Sequence, residues 1–126
     1  MFWFSIGVAL LAAIGIIAIG ILYLVNPRAA TLGFGLPLPE TGANIAWWLR
    51  LKGVRDVASG LVVLAFMVWG GPRMTGIALL IEAIIPLGDM SLILAAKGST
   101  RHALGIHGLT AALMIMAAIP LIIRGA

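Results

Sequence analysis

The 126-residue sequence contains no cysteine. That absence excludes disulfides, thiol catalysis, thiolate metal sites and haem attachment through cysteine. Charge is scarce as well. Only 10% of the residues are Asp, Glu, Lys or Arg, against about 25% in soluble domains. Four are acidic and eight basic, which gives a formal charge of +4. The basic residues form no run on a polar face, so no nucleic-acid partner is expected. There is no phosphate-binding glycine loop, nucleophile elbow or zinc motif, and neither a cofactor nor a metal is expected.

Apolar residues fill the space that charge leaves. They make up 63% of the chain, and the mean hydropathy is +1.20. A water-soluble fold of this composition would expose large apolar patches and aggregate. In a lipid bilayer the same surface is solvated. The expectation is a single integral membrane domain over residues 1–126, a multi-pass protein, in the cell membrane if the source is bacterial.

A spanning helix needs about 20 mostly apolar residues. Residues 2–25 meet that requirement without a charge. Their apolar run is too long for a signal-peptide core and lacks a basic leader, so it reads as a retained span. Asn26-Pro27 stops it, because proline disfavours helix at the preceding residue. Residues 26–44 contain Gly33, Gly35, Pro37, Pro39 and Gly42 and read as an irregular loop. A second helix is expected at about 45–69, entered at headgroup level by Trp47 and Trp48. Its uninterrupted apolar part, Val57 to Trp69, is too short to span alone, so some of the preceding charges lie within the membrane. Gly70-Gly71-Pro72 is a turn. A third helix is expected at about 74–96 and a fourth at about 102–123. Short second and third turns make neighbouring helices antiparallel. The expected fold is all-α, a four-transmembrane-helix antiparallel bundle. The excess of Lys and Arg near the first and third loops favours both termini outside the cytoplasm.

Each charge inside a span costs about 2.5–3.5 kcal/mol on insertion scales and persists when paired, hydrated or functional. Arg50, Lys52, Arg55, Asp56, Glu82 and Asp89 balance in sign, as burial requires. Glu82, Pro86 and Asp89 share one helix face. So do Lys52, Arg55, Asp56 and Ser59, and so do His107, Thr110 and Met114. At 1.5 Å per residue, Asp89 and His107 lie roughly 10 Å from the side of the first and third loops, Asp56 roughly 16 Å and Glu82 roughly 21 Å. Antiparallel packing therefore brings helices two, three and four into one polar seam, opening towards the first loop. The uniformly apolar first helix reads as packing or lipid contact. Pro86 is expected to kink helix three and free a carbonyl.

Paired carboxylates in a low dielectric, beside Arg and His, suit acid–base chemistry. The candidate catalytic residues are Arg55, Asp56, Glu82, Asp89 and His107. Asp89 or Glu82 would act as acid or base, Arg55 would steady negative charge, and His107 would shuttle protons. A metal held by Asp89, Glu82 and His107 is the less favoured use of the same residues. The expected ligand is a hydrophobic small molecule, bound by an enzyme or a binding protein. The alternatives are a transporter for a small solute or proton, and an accessory membrane subunit with a structural charge cluster. A homo-oligomer is left open.

Three runs carry a resemblance. They are Arg50-x-Lys52-Gly53-x-Arg55-Asp56, Glu82-x-x-x-Pro86-x-x-Asp89 and His107-Gly108-x-Thr110-Ala111-Ala112. Together they resemble a family of small four-helix membrane proteins known only as a domain of unknown function. The resemblance covers nearly the whole chain, implies four spans and supplies no activity. More distantly, the Arg-rich, glycine-spaced second helix looks like the DoxX-like group of four-helix membrane proteins, some of them linked to quinone-coupled oxidation.

Overall fold

The structure, a computed structural model, describes residues 1–37 and 42–125. Pro39 of the expected first loop lies outside these residues. Helix α1, Phe2–Val25, is the first leg. Asn26 ends it with φ −140°, then caps the next element by accepting a hydrogen bond from the Ala29 N–H at 3.3 Å. With Pro27 supplying a preset φ in the first turn, residues Pro27–Thr31 form a short helix, α2. The sequence reading made this stretch irregular. The Asn-Pro pair that stops α1 also starts α2, and this dual role was missed.

The second leg is α3, Ala43–Ala65, followed by a π-helical segment, Phe66–Gly70. The third leg comprises α4, Gly71–Glu82, and α5, Ile84–Ala95. The helical run Asn44–Ala95 has 52 residues. Straight, it would measure about 78 Å, more than twice a hydrocarbon core of about 30 Å. It folds back at Gly71, whose φ of 73° lies in the left-handed region that favours glycine. The Ser59 side chain then reaches Glu82 across the hairpin. Helix three thus begins at Gly71, earlier than expected, because Pro72 suits a first helical turn. The break between α4 and α5 at Ala83 follows from Pro86. Proline has no N–H to return to the Glu82 carbonyl four residues back.

The fourth leg opens with α6, Thr100–His102, capped by the Ser99 hydroxyl, which accepts from the His102 N–H at 3.3 Å. A π-helical segment, Ala103–Gly108, leads into α7, Leu109–Arg124. The fold is therefore the expected all-α, four-helix antiparallel bundle. Three helical stretches are long and apolar enough to cross a membrane, Phe2–Val25, Asn44–Ala95 and Thr100–Arg124, and the middle one is folded in two.

Small residues set the packing, as is usual where lipid removes the hydrophobic drive between helices. Helix α1 lies mainly on α3 and α7, and α4 lies on α7, whereas α3 and α4 touch sparsely. Gly20 and Gly53 meet backbone to backbone. A Cβ on Gly20 would fall 2.7 Å from the Gly53 carbonyl oxygen, and one on Gly53 would fall 2.6 Å from that of Gly20. Near the Gly71 turn, Ala9, Ala13, Val63, Leu79, Ala83, Met114, Ala117, Ala118 and Leu121 form the dry core. Ser5 and Thr75 are buried at this end too, whereas the buried Asp56 and His107 lie towards the other end.

Candidate functional site

A cavity of about 690 Å³ reaches all four legs. Its volume falls within the roughly 300–1,000 Å³ of small-molecule sites. Helix α1 supplies an apolar wall that includes Ala12, Gly15, Ile16 and Ile19. The first leg was expected to contact only lipid or neighbouring helices. Exposed lining residues occur on α1 at Leu11 and Leu22 and on the fourth leg at Ile106 and Leu113. The cavity therefore has a lateral mouth between these legs, and Gly33, an exposed lining residue of the first loop, borders its other end. Phe34 of that loop stands over the latter end.

Five charged or ionisable side chains meet here. Lys52 Nζ donates to Asp56 Oδ2 at 2.6 Å along α3. The same ammonium lies 4.3 Å from the centre of the Tyr23 ring and 5.3 Å from that of Phe34. Aromatic faces stabilise a cation by about 0.5–2 kcal/mol, more when water is excluded. Asp56 is buried, while Lys52 is partly exposed.

His107 is buried on the π-helical segment of the fourth leg. Such segments often mark functional positions, since the extra residue re-aims a side chain. The His107 Nε2–H donates to the Phe34 carbonyl at 2.9 Å, and the two rings pack edge to face with centroids 4.7 Å apart. The carbonyl can only accept, so the tautomer follows: Nε2 bears hydrogen. Nδ1 then faces Asp89 Oδ2 at 3.5 Å. An imidazole lone pair and a carboxylate oxygen are complementary only with a proton between them. A proton shared between them would make the pair imidazolium with carboxylate, or imidazole with carboxylic acid.

Glu82 lies deeper in the cavity, at the end of α4, where it accepts a hydrogen bond from the Ser59 hydroxyl. Among the described residues, no Lys, Arg or His lies within ion-pair distance of it.

Of the sequence-derived candidates, Asp56, Glu82, Asp89 and His107 thus line or adjoin one cavity. Arg55 does not join them. It is exposed on the outside of α3 and forms no ion pair among the described residues. At 100° per residue it sits at the edge of the Lys52–Asp56–Ser59 face, and that edge turns outward. Arg50 is diverted too. Its Nε–H donates to the Leu24 carbonyl at 3.2 Å, and its guanidinium lies 4.8 Å from the Trp47 ring centre. The mixed metal set does not assemble: among the described residues, no three His, Asp or Glu side chains are placed to hold a metal ion. Tyr23 and Phe34 were overlooked. Tyr23 is the only tyrosine of the chain, a polar tip ending an apolar span, and that was the available signal. Phe34 had none, because its hydrogen-bonding atom is a backbone carbonyl.

Residues 13–121 match the family described as Domain of unknown function (DUF4267). The chain belongs to this family. No curated protein and no solved structure matches it. The looser DoxX-like similarity is not supported by these comparisons.

Proposed function

We propose that this member of the family is a multi-pass membrane protein whose cavity receives a hydrophobic small molecule from the bilayer. The Asp89–His107 pair would exchange protons with it. Four crossings are supported by the two ends of α3 and its π-helical extension. Trp47 and Trp48 are exposed at one end and Trp69 at the other. Trp47 to Trp69 corresponds to about 33 Å of helix, close to the thickness of a hydrocarbon core, and tryptophans favour both interfaces. In that frame the whole chain is one integral membrane domain.

The observation that carries the reading is the Asp89–His107–Phe34 chain on the wall of a largely apolar cavity. An aspartate and a histidine sharing one proton form an acid in one state and a base in the other. The Phe34 carbonyl holds the ring in one tautomer, so the reactive nitrogen is Nδ1. Asp56 and Lys52 would fix the end of the site beside Tyr23 and Phe34, and Glu82 would stand further along it. Arg55, on the outer surface, has no part in this scheme.

Native mass spectrometry of the purified protein tests it. A hydrophobic molecule should be retained by the wild type and lost from Gly15→Trp. A Cβ on Gly15 meets nothing within 4 Å, so the indole would enter the cavity without a clash. Gly7 is equally open but does not line the cavity, and Gly7→Trp should keep the molecule. Retention by both variants alike would refute the cavity as the site.

A further inference from the structure

The charges around the cavity do not cancel. Lys52 and Asp56 form a neutral pair. Asp89 has His107 facing it at 3.5 Å. Glu82 is left over, with only the Ser59 hydroxyl against it. A lone ionised carboxylate at membrane depth is costly, Lys52 of the same cavity is engaged by Asp56, and Arg55 is exposed on the outer surface.

A single carboxylate and a hydroxyl do not make a cage for a metal ion, and among the described residues no third ligand joins them. The surroundings are also wrong for a hydrated cation. Ala12, Ile16 and Val63 line the same cavity, and its mouth lies between α1 and the fourth leg. A group that carries positive charge, offers N–H donors and brings its own apolar body would complement an ionised Glu82 in such a wall.

Building on the cavity reading above, we propose that the molecule it takes is a hydrophobic amine, bound as the ammonium. The nitrogen pairs with Glu82 beside Ser59, and the hydrocarbon part lies along the α1 wall towards the lateral mouth. A charge-assisted N–H to carboxylate bond out of water is among the stronger non-covalent contacts. An alcohol of equal length can donate to the carboxylate but brings no charge to balance it. A fatty carboxylate is repelled by Glu82. The cavity thus discriminates by head-group charge, while its apolar wall sets only size.

The test compares 1-dodecylamine, 1-dodecanol and dodecanoate on the full-length protein in detergent, with binding read from the shift in thermal unfolding temperature. The amine should bind at least tenfold more tightly than the alcohol, and dodecanoate most weakly. Glu82→Gln should bring amine and alcohol to equal affinity, with the larger loss on the amine. The ordering among the three probes in wild type needs no variant, so it decides the matter even if Glu82→Gln folds poorly. Equal binding of amine and alcohol to the wild type would overturn the amine assignment and leave the cavity reading intact. Failure of all three to bind, together with no molecule retained in native mass spectrometry, would overturn both.

Discussion

Asp89 Oδ2 and His107 Nδ1 stand 3.5 Å apart across the third and fourth legs, while the other ring nitrogen is engaged by the Phe34 carbonyl. The acceptor at Nε2 dictates what the pair can do. Asp89→Asn offers an amide N–H in place of the shared proton, so the contact survives without exchangeable acidity. Stability should change by no more than about 1 kcal/mol, the net scale of one hydrogen bond, and any proton exchange with ligand should cease. Nitrogen NMR of the ring in this variant should show a neutral imidazole with hydrogen on Nε2. A signal for hydrogen on Nδ1 would mean that the Phe34 contact does not set the tautomer.

Lys52 and Asp56 are expected to behave as a coupled unit. Removing Asp56 leaves an ammonium between two aromatic rings with no counter-ion. Stripping one partner from a buried pair costs about 3–5 kcal/mol, and the partial exposure of Lys52 puts this case lower, at about 1–3 kcal/mol. Lys52→Met combined with Asp56→Leu removes both charges and should be less destabilised than Asp56→Asn alone. A double-mutant cycle on thermal unfolding measures the coupling. Additive single effects would show the ion pair to be incidental.

The crossing of α1 and α3 leads to a stability prediction independent of the cavity. Gly20→Val and Gly53→Val each force a side chain into the partner's carbonyl, since even a Cβ would lie within 2.7 Å of it. Overpacking of this kind costs about 1–3 kcal/mol, and the legs must separate to relieve it. Gly7→Ala meets nothing within 4 Å and should be neutral or stabilising, up to about 1 kcal/mol from helix propensity. Unfolding in detergent followed by circular dichroism distinguishes the two classes.

Helices and turns were the legible part of this molecule. Apolar runs of span length, broken by Asn26-Pro27 and by Gly70-Gly71-Pro72, are strong signals in one dimension. The shared face of Lys52 and Asp56 was legible because four residues make about one helical turn, though not their pairing, and Asp89 beside His107 because equal depth in antiparallel legs implies contact. Arg55 was misread because it lies at the edge of its face, where a small helix rotation decides between inside and outside. The cavity wall on α1 was hidden because nothing in a run of Ala, Gly and Ile distinguishes a helix that faces lipid from one that faces a void. Phe34 acts through its backbone, which no residue type advertises.

The segment around Phe34 leads to the last prediction. Ser99 N–H donates to the Gly35 carbonyl at 2.9 Å, joining the first loop to the third. Gly35 has φ 97°, and a Cβ there would lie 2.6 Å from the His102 Cβ. Gly35→Ala therefore faces both backbone strain, about 1–3 kcal/mol, and a clash between two chain segments. Neither Gly35 nor His102 lines the cavity, so any effect on it must pass through the loop. The expected sequence is undocking of residues 32–36, loss of the Phe34 carbonyl from His107, and release of the tautomer it imposes. Hydrogen exchange at Ser99 should rise sharply, while exchange in α4 and α7 stays at the wild-type level. Retention of the hydrophobic ligand should fall even though no cavity residue has changed. Faster exchange at Ser99 with ligand retention intact would mean that Phe34 covers the cavity without helping to hold what lies inside it.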